Sequence, residues 1–430
     1  MSRNRNRFPI ELGLVCILFA LTAFGCSPDA PLRNVCADEL GCVWIEPGAE
    51  VKIVSLHTFS GIQERISREH LRSLEIAIAE RGGKLHGHPL VVVTADEQCS
   101  RAGGLVSAQK IATDRNIVAV HGPNCSSAAI PATRILSEAG LVLVSGTATA
   151  PSLTSQSGDP GEHRQPGFFR TASNDEYQGI AAAHFAYHVL DVRRAATVHD
   201  QDAYAMGLAE AFAAAFQELG GEVVYVGAIN RGDRNMHPLV QALAGQRPEL
   251  VFFPIFSMEG HYFIQALRSY PLSEKLSLLS ADSLLNRPFL EICGNRCLGM
   301  FFIAPDSAET PAYVSYLERY LQTYGEGPQG YFHAHGYDAA VILLHALEQS
   351  SFPEPDGSLR IERQRLRTTL SSIRDFPGLT GRLSCDAFGD CGMPRFKLVS
   401  LNRGMEFEEL LENVIAVHAP LEQANPSVSQ

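Results

Sequence analysis

The chain has 430 residues, 45% of them apolar and 19% charged, which suits two or three packed domains and excludes a disordered chain, a collagen or a multi-span membrane protein. Asp and Glu number 47 against 35 Lys and Arg, a formal charge of −12. Nucleic acid is therefore not expected as a partner, because phosphate contacts need a basic surface. No phosphate-binding glycine loop and no zinc-spaced cysteine pairs occur, so neither a cofactor nor a metal is expected.

The amino terminus reads as an export signal. Arg3, Arg5 and Arg7 precede an apolar run of 14 residues over 12–25. A bilayer-spanning helix takes about 20. Ala23-Phe24-Gly25-Cys26 then resembles the lipobox of bacterial lipoproteins, although Ala23 and Phe24 depart from its usual residues. The resemblance implies that residues 1–25 are removed, that Cys26 is acylated, and that the mature chain is exported and held at the cell envelope by its lipid.

Ten cysteines occur. Cys16 leaves with the signal and Cys26 takes the lipid, so eight remain, an even number in an exported chain, which is the arithmetic of disulfides. Cys36/Cys42, Cys293/Cys297 and Cys385/Cys391 are close in sequence, leaving Cys99 and Cys125 for each other. No histidine lies at ligand spacing from these pairs.

Residues 26–50 read as a tether. From 51 the chain alternates. A strand at 51–54 is followed by a helix with Leu71, Leu74 and Ile78 on one face, ended by Gly82-Gly83. Strands follow at 90–93 and 117–120, then a helix near 131–139 and a strand at 141–144. The alternation restarts with a helix from Gly179 and a strand at 196–198. A helix with Leu208, Phe212, Phe216 and Leu219 in line ends at Gly220-Gly221. Strands at 223–226, 250–253, 276–279 and 299–303 follow, then helices at 337–348 and 363–373 and a last strand at 395–399. Residues 418–430 read as a tail. Short, continuous, apolar strands belong to parallel sheets covered on both faces, and the series is long enough for two doubly wound α/β sheets.

Five segments carry a family resemblance: Asp96-Glu97-Gln98-Cys99; Gly122-Pro123-Asn124-Cys125-Ser126-Ser127; the stretch from Ser145 through Thr149 to Thr154; Phe169-Arg170-Thr171-Ala172 with Tyr177-Gln178-Gly179; and His199-Asp200-Gln201-Asp202-Ala203-Tyr204. In order and spacing they resemble the leucine/isoleucine/valine-binding protein family, type I periplasmic binding proteins of ABC importers. The resemblance covers about 51–400. It implies two doubly wound lobes joined by a three-strand hinge, with 51–168 plus 306–380 in lobe one and 169–304 plus 382–417 in lobe two. A ligand is expected in the cleft between them, with hinged closure around it and no catalytic activity. The expected partners are a small molecule, most simply an amino acid, and ABC permease subunits. A monomer is expected.

The ligand set follows residue by residue. Ser126 and Ser127 stand at a helix start, where unpaired amides suit a carboxylate; they would also serve as caps. Ala148 and Thr149 match the family's head-group pair at the next turn. Tyr204 matches a ligand-covering tyrosine, and Phe256 matches a tyrosine over the side-chain pocket. Asp282 stands where the family has a glutamate for the ligand ammonium, one methylene longer. The first loop departs: after Ser60-Gly61 comes Gln63-Glu64-Arg65, and a later glycine is missing near Ser67. This charged loop argues against an aliphatic amino acid; Arg65 and Glu64 are expected first as a solvated face, and second as contacts to a polar ligand side chain. His333 and His335 sit two apart, a spacing that does not bring them together on a strand or a helix, so they are not read as a metal pair.

Three competing functions remain. A signalling receptor would use the same lobes. An enzyme of the Ser/His/Asp type would want a Gly-x-Ser-x-Gly turn, which is absent. A lipoprotein that binds another protein would have a cleft filled by its own side chains.

Overall fold

A computed structural model describes residues 36–271, 275–307 and 309–419. The signal segment, Cys26 and nearly all of the tail lie outside the described residues. Lobe one is built on a six-stranded sheet. Its parallel strands run in the spatial order His88–Asp96, Val51–His57, Ile117–His121, Leu143–Ser145, Phe168–Arg170, with Lys84–Leu85 antiparallel at one edge. Lobe two repeats the order with Glu222–Ala228, Arg194–His199, Leu250–Phe252, Ser277–Ala281 and Phe301–Pro305, then adds Phe396–Ser400 and Val414–His418 antiparallel. In each sheet the connections leave the first strand in both directions. That reversal opens a crevice at the carboxyl ends, beside Val51–His57 and Ile117–His121 in lobe one and beside Arg194–His199 and Leu250–Phe252 in lobe two.

The strands are buried on both faces because helices cover both. Val51, Ile53, Val118 and Val144 pack with Leu74, Ile78 and the apolar residues of helix His333–Gln349 on one side. Val54, Leu56, Val120 and Leu143 pack with Ala129, Ala132 and Leu136 of helix Ser126–Glu138 on the other. Helix Arg101–Thr113 has no apolar stripe to announce it. It forms because Gly103 and Gly104 allow close approach: a Cβ on Gly104 would lie 2.2 Å from the Ala128 carbonyl oxygen, and one on Gly103 2.2 Å from that of Glu97.

Two boundaries differ from the sequence expectation. Within 26–50, the strand Cys42–Ile45 pairs antiparallel with Leu359–Glu362, and Val43 and Ile45 enter the lobe-one core. Asp38 accepts from the amides of Gln364 and Arg365 at 2.9 and 3.1 Å, completing the start of helix Arg363–Ser371. This stretch is part of the domain and not only a tether. The segment 382–391, expected with lobe two, contributes Leu383, Cys385 and Cys391 to the lobe-one core. All eight expected cysteines are disulfide-bonded, with Cys99–Cys125, Cys293–Cys297 and Cys385–Cys391 as pairs. Among the described residues no helix is long and apolar enough to cross a membrane.

Candidate ligand-binding cleft

Between the two crevices lies a cavity of about 500 Å³, within the range of small-molecule sites. Ser126 and Thr149 line it from lobe one, and Tyr204, Phe256 and Asp282 from lobe two.

The lobe-one wall is a pair of turns locked to each other. Helix Ser126–Glu138 begins at the cavity, and its first amides have no partner inside the helix. The turn before it is held from behind. Glu97 accepts from the amides of Asn124 and Cys125 at 3.1 and 2.7 Å and from the Thr58 hydroxyl at 3.0 Å. Burial pushes Glu97 up to about 8, against the bonds from Cys125, Thr58 and Asn124, which favour its ionised form. The Cys99–Cys125 bridge ties down the same turn. Ser126 Oγ accepts from the Ala150 amide at 3.1 Å, and the Thr147 hydroxyl donates to Asn124 at 2.9 Å, joining the first turn to the second. Ser145 Oγ organises that second turn by accepting from the Thr147 and Ala148 amides at 3.1 and 2.9 Å.

Two residues expected at the ligand are engaged elsewhere. The Ala148 amide is taken by Ser145, and its carbonyl accepts from the buried Arg170 at 3.1 Å. Ser127 Oγ donates to Asp202 in lobe two at 2.7 Å and accepts from the Ala203 amide at 3.3 Å. Ser127 is thus a contact between the lobes, strengthened by Arg231, whose guanidinium donates to the Cys99 carbonyl at 2.9 Å. Neither lines the cavity. Arg170, which the sequence offered only as part of a motif, is the support of the second turn. It also donates to the Ala150 carbonyl at 2.9 Å and pairs with Asp390 of the segment that crosses back to lobe two.

The lobe-two wall carries the acid. Asp282 follows strand Ser277–Ala281 and is half-buried. Its Oδ1 accepts from Gln178 Nε2 at 2.7 Å, with the Tyr204 hydroxyl 3.5 Å away. Burial pushes its carboxyl up to about 6, and the bonds from Gln178 and Tyr204 hold it down from going higher. Asp175, fully buried, is raised well above the ordinary range by burial first and by the charge of Asp282 second. Burial and mutual repulsion therefore oppose the ionisation of both carboxyls at once. The Tyr204 and Phe256 rings lie 5.8 Å apart and form an aromatic side to this wall.

The first loop keeps its charge at the rim. Gln63, Glu64, Arg65, Arg68 and Arg72 all border the cavity. Arg68 pairs with Glu64, Arg72 with Glu326 at 2.7 Å, and Arg65 donates to Gln329. Glu69, pushed up to about 7 by burial, accepts from the Gln329 and Gly330 amides at 2.7 and 3.1 Å and holds that segment against the wall.

Residues 50–392 match the family described as periplasmic binding protein. The chain belongs to the periplasmic binding protein family. It is 27% identical over 328 residues to the Leu/Ile/Val-binding protein BraC3 of Rhizobium johnstonii, covering 76% of this chain and 84% of that one. To the Leu/Ile/Val-binding protein of Escherichia coli K12 it is 25% identical over 307 residues, 71% of this chain and 81% of that one. An amino acid binding protein of Pseudomonas aeruginosa matches at 26% over 247 residues; there this chain spans only 59% of the relative's length. Among solved structures, a leucine binding protein of Thermotoga maritima superposes with a TM-score of 0.73 at 23% identity, covering 86% of this chain and 99% of that one. A solute binding protein of R. palustris in complex with benzoate superposes with a TM-score of 0.69 at 18% identity, covering 86% and 97%.

The leucine/isoleucine/valine-binding resemblance and the type I two-lobed fold are thereby established. As a periplasmic binding protein the chain is an extracytoplasmic solute-binding protein, not an enzyme. Within this periplasmic binding protein, the sequence assigned no role to Asn124 and Thr147, which line the cavity, or to Gln178, which aims Asp282; Tyr331, expected in the core or at the cleft rim, lines the cavity. Asn124 and Gln178 lay inside quoted motifs, so their sequence signal was present but carried no role.

Proposed function

We propose that this binding protein captures a small zwitterion, an amino acid or a close analogue, and delivers it to an ABC importer while anchored by a lipid on Cys26. The observation that carries the reading is the polarity of the cavity. A helix start and Thr149 face it from lobe one, and Asp282 faces it from lobe two. A carboxylate suits the first wall and an ammonium the second. A cavity of this size also counts against a cleft filled by its own side chains, hence against a purely protein-binding role. The names of the Leu/Ile/Val-binding relatives agree with an amino acid.

A second reading is an aromatic acid without an amine. It is favoured by the Tyr204, Phe256 and Tyr331 side of the cavity and by the fold shared with a benzoate complex. Calorimetry against a panel of aliphatic, polar and acidic amino acids, their amides, and benzoates separates the two. An amino acid as the tightest ligand supports the zwitterion reading, and a benzoate as the tightest replaces it. Delivery to an importer, as opposed to signalling, is tested by uptake of the same ligand in cells lacking the protein.

A further inference from the structure

We propose that His57, His70 and His121 form a binding site for one late first-row divalent metal ion, zinc in the first instance, one layer behind the lobe-one wall of the cleft. The three histidines come from three elements: the end of strand Val51–His57, helix Glu64–Glu80, and the end of strand Ile117–His121. All three are fully buried. One nitrogen from each lies within 4.8 Å of the other two. His57 Nε2 and His121 Nδ1 are 3.2 Å apart, close to the edge of a tetrahedron with metal–nitrogen bonds of about 2.0–2.1 Å. Imidazole is the ligand type shared by zinc, copper and nickel.

The hydrogen bonds favour a ligand role over a stacked core. His121 Nε2 lies 2.8 Å from the Gly336 carbonyl. That acceptor requires Nε2 to carry the proton, so without an ion Nδ1 accepts the N–H of His57 Nε2; a metal ion would replace that shared proton, while the Nε2–H on a backbone carbonyl is the outer arrangement of metal-bound histidines. Both nitrogens of His70, and Nδ1 of His57, have no hydrogen-bond partner among the described residues. A neutral His70 must carry an N–H on one nitrogen and a lone pair on the other. Buried polar atoms are nearly always satisfied, so this ring lacks a partner that a core position would normally supply. A metal ion would use the lone pair. The ring also occupies space left for it: a Cβ on Gly146 would lie 2.6 Å from His70 Cε1, and one on Gly336 2.6 Å from His70 Nδ1.

Three nitrogen ligands leave a fourth position for water. The ion would join structures that shape the cleft. His57 leads into the first loop, His121 leads into the turn before Ser126, and His70 follows Glu69 on the helix whose Glu69 and Arg72 border the cavity. The site does not depend on which ligand the cleft takes.

The test uses the untagged mature chain, stripped with a chelator and dialysed against zinc. About one zinc per chain should be retained, and zinc should raise the thermal midpoint in a concentration-dependent way. Cobalt added to stripped protein should give the visible bands of a four-coordinate site. His70→Leu should lose the retained zinc and the thermal shift, while His86→Ala, at an exposed histidine, should keep both. Retention below about a tenth of an equivalent by the parent, or equal retention by His70→Leu, overturns the proposal. If His70→Leu does not fold, the cobalt spectrum of the parent decides, and absence of those bands overturns it.

Discussion

Asp282→Asn separates a ligand role from a structural one, because the two predict opposite changes. In the ligand-free protein burial raises Asp282 from 3.8 to about 6. At 1.36 kcal/mol per pH unit this is about 3 kcal/mol against the ionised form. The side chain is half-buried, so solvent screening reduces the cost to about 1–2 kcal/mol. A carboxyl whose folded pKa is raised carries that cost fully above the folded value and not at all below the unfolded one. Asn keeps the acceptor for Gln178 and removes the charge. The ligand-free variant should therefore be as stable as the parent or up to about 1–2 kcal/mol more stable at pH 7, and indistinguishable near pH 4. Binding should move the other way. Removing one partner of a desolvated ion pair costs about 3–5 kcal/mol. Partial exposure and the remaining amide oxygen favour the low end, so affinity should fall about a hundredfold. Calorimetry with the best ligand at pH 7 and thermal unfolding without ligand measure the two effects. Parent-like affinity would refute the ammonium role. A loss of ligand-free stability as large as the loss of binding energy would show Asp282 to be structural instead.

The same group sets a pH dependence: an ammonium ligand selects ionised Asp282, so Kd measured between pH 7 and pH 5 should rise roughly tenfold as pH falls, and a flat profile for an amine ligand would contradict this. Arg170→Leu should destabilise the protein by about 3–5 kcal/mol, because it leaves Asp390 without its cation, takes the guanidinium donor from the Ala148 carbonyl, and leaves the Ala150 carbonyl with the Leu153 amide alone; denaturant unfolding that shows less than about 1 kcal/mol would count against that support. Replacing Cys99 and Cys125 together with Ala should cost roughly 3 kcal/mol in the chain-entropy account of a bridge spanning 26 residues, and should weaken ligand binding through the turn before Ser126; unchanged affinity would sever that link. Cys26→Ser should release the protein from membranes or stall its processing, and an unlipidated mature amino terminus in the parent by mass spectrometry would rule the anchor out.

The alternating fold was legible because its signal is local. Buried parallel strands such as 51–54 and 117–120 are short apolar runs, and helix 64–80 shows its stripe through Leu74 and Ile78. The cavity-facing positions were legible for a related reason. Ser126, Thr149, Tyr204, Phe256 and Asp282 each follow a strand, and the carboxyl ends of one sheet must lie together whatever the details of packing. Helix Arg101–Thr113 escaped because its packing rests on two glycines and not on an apolar stripe.

What only the tertiary structure decided is which groups at those turns are already spent. Ala148 and Thr149 are neighbours in sequence, yet Arg170 takes the carbonyl of one while the other faces the cavity. Ser126 and Ser127 differ in the same way, because a helix start turns adjacent side chains to different sides and Asp202 of the other lobe waits on one of them. The three histidines are the extreme case: 64 residues separate His57 from His121. No periodicity relates such positions. Sheet order makes the two strands neighbours, and the helix laid across them brings His70 into the same layer, so the cluster exists only once the sheet has formed.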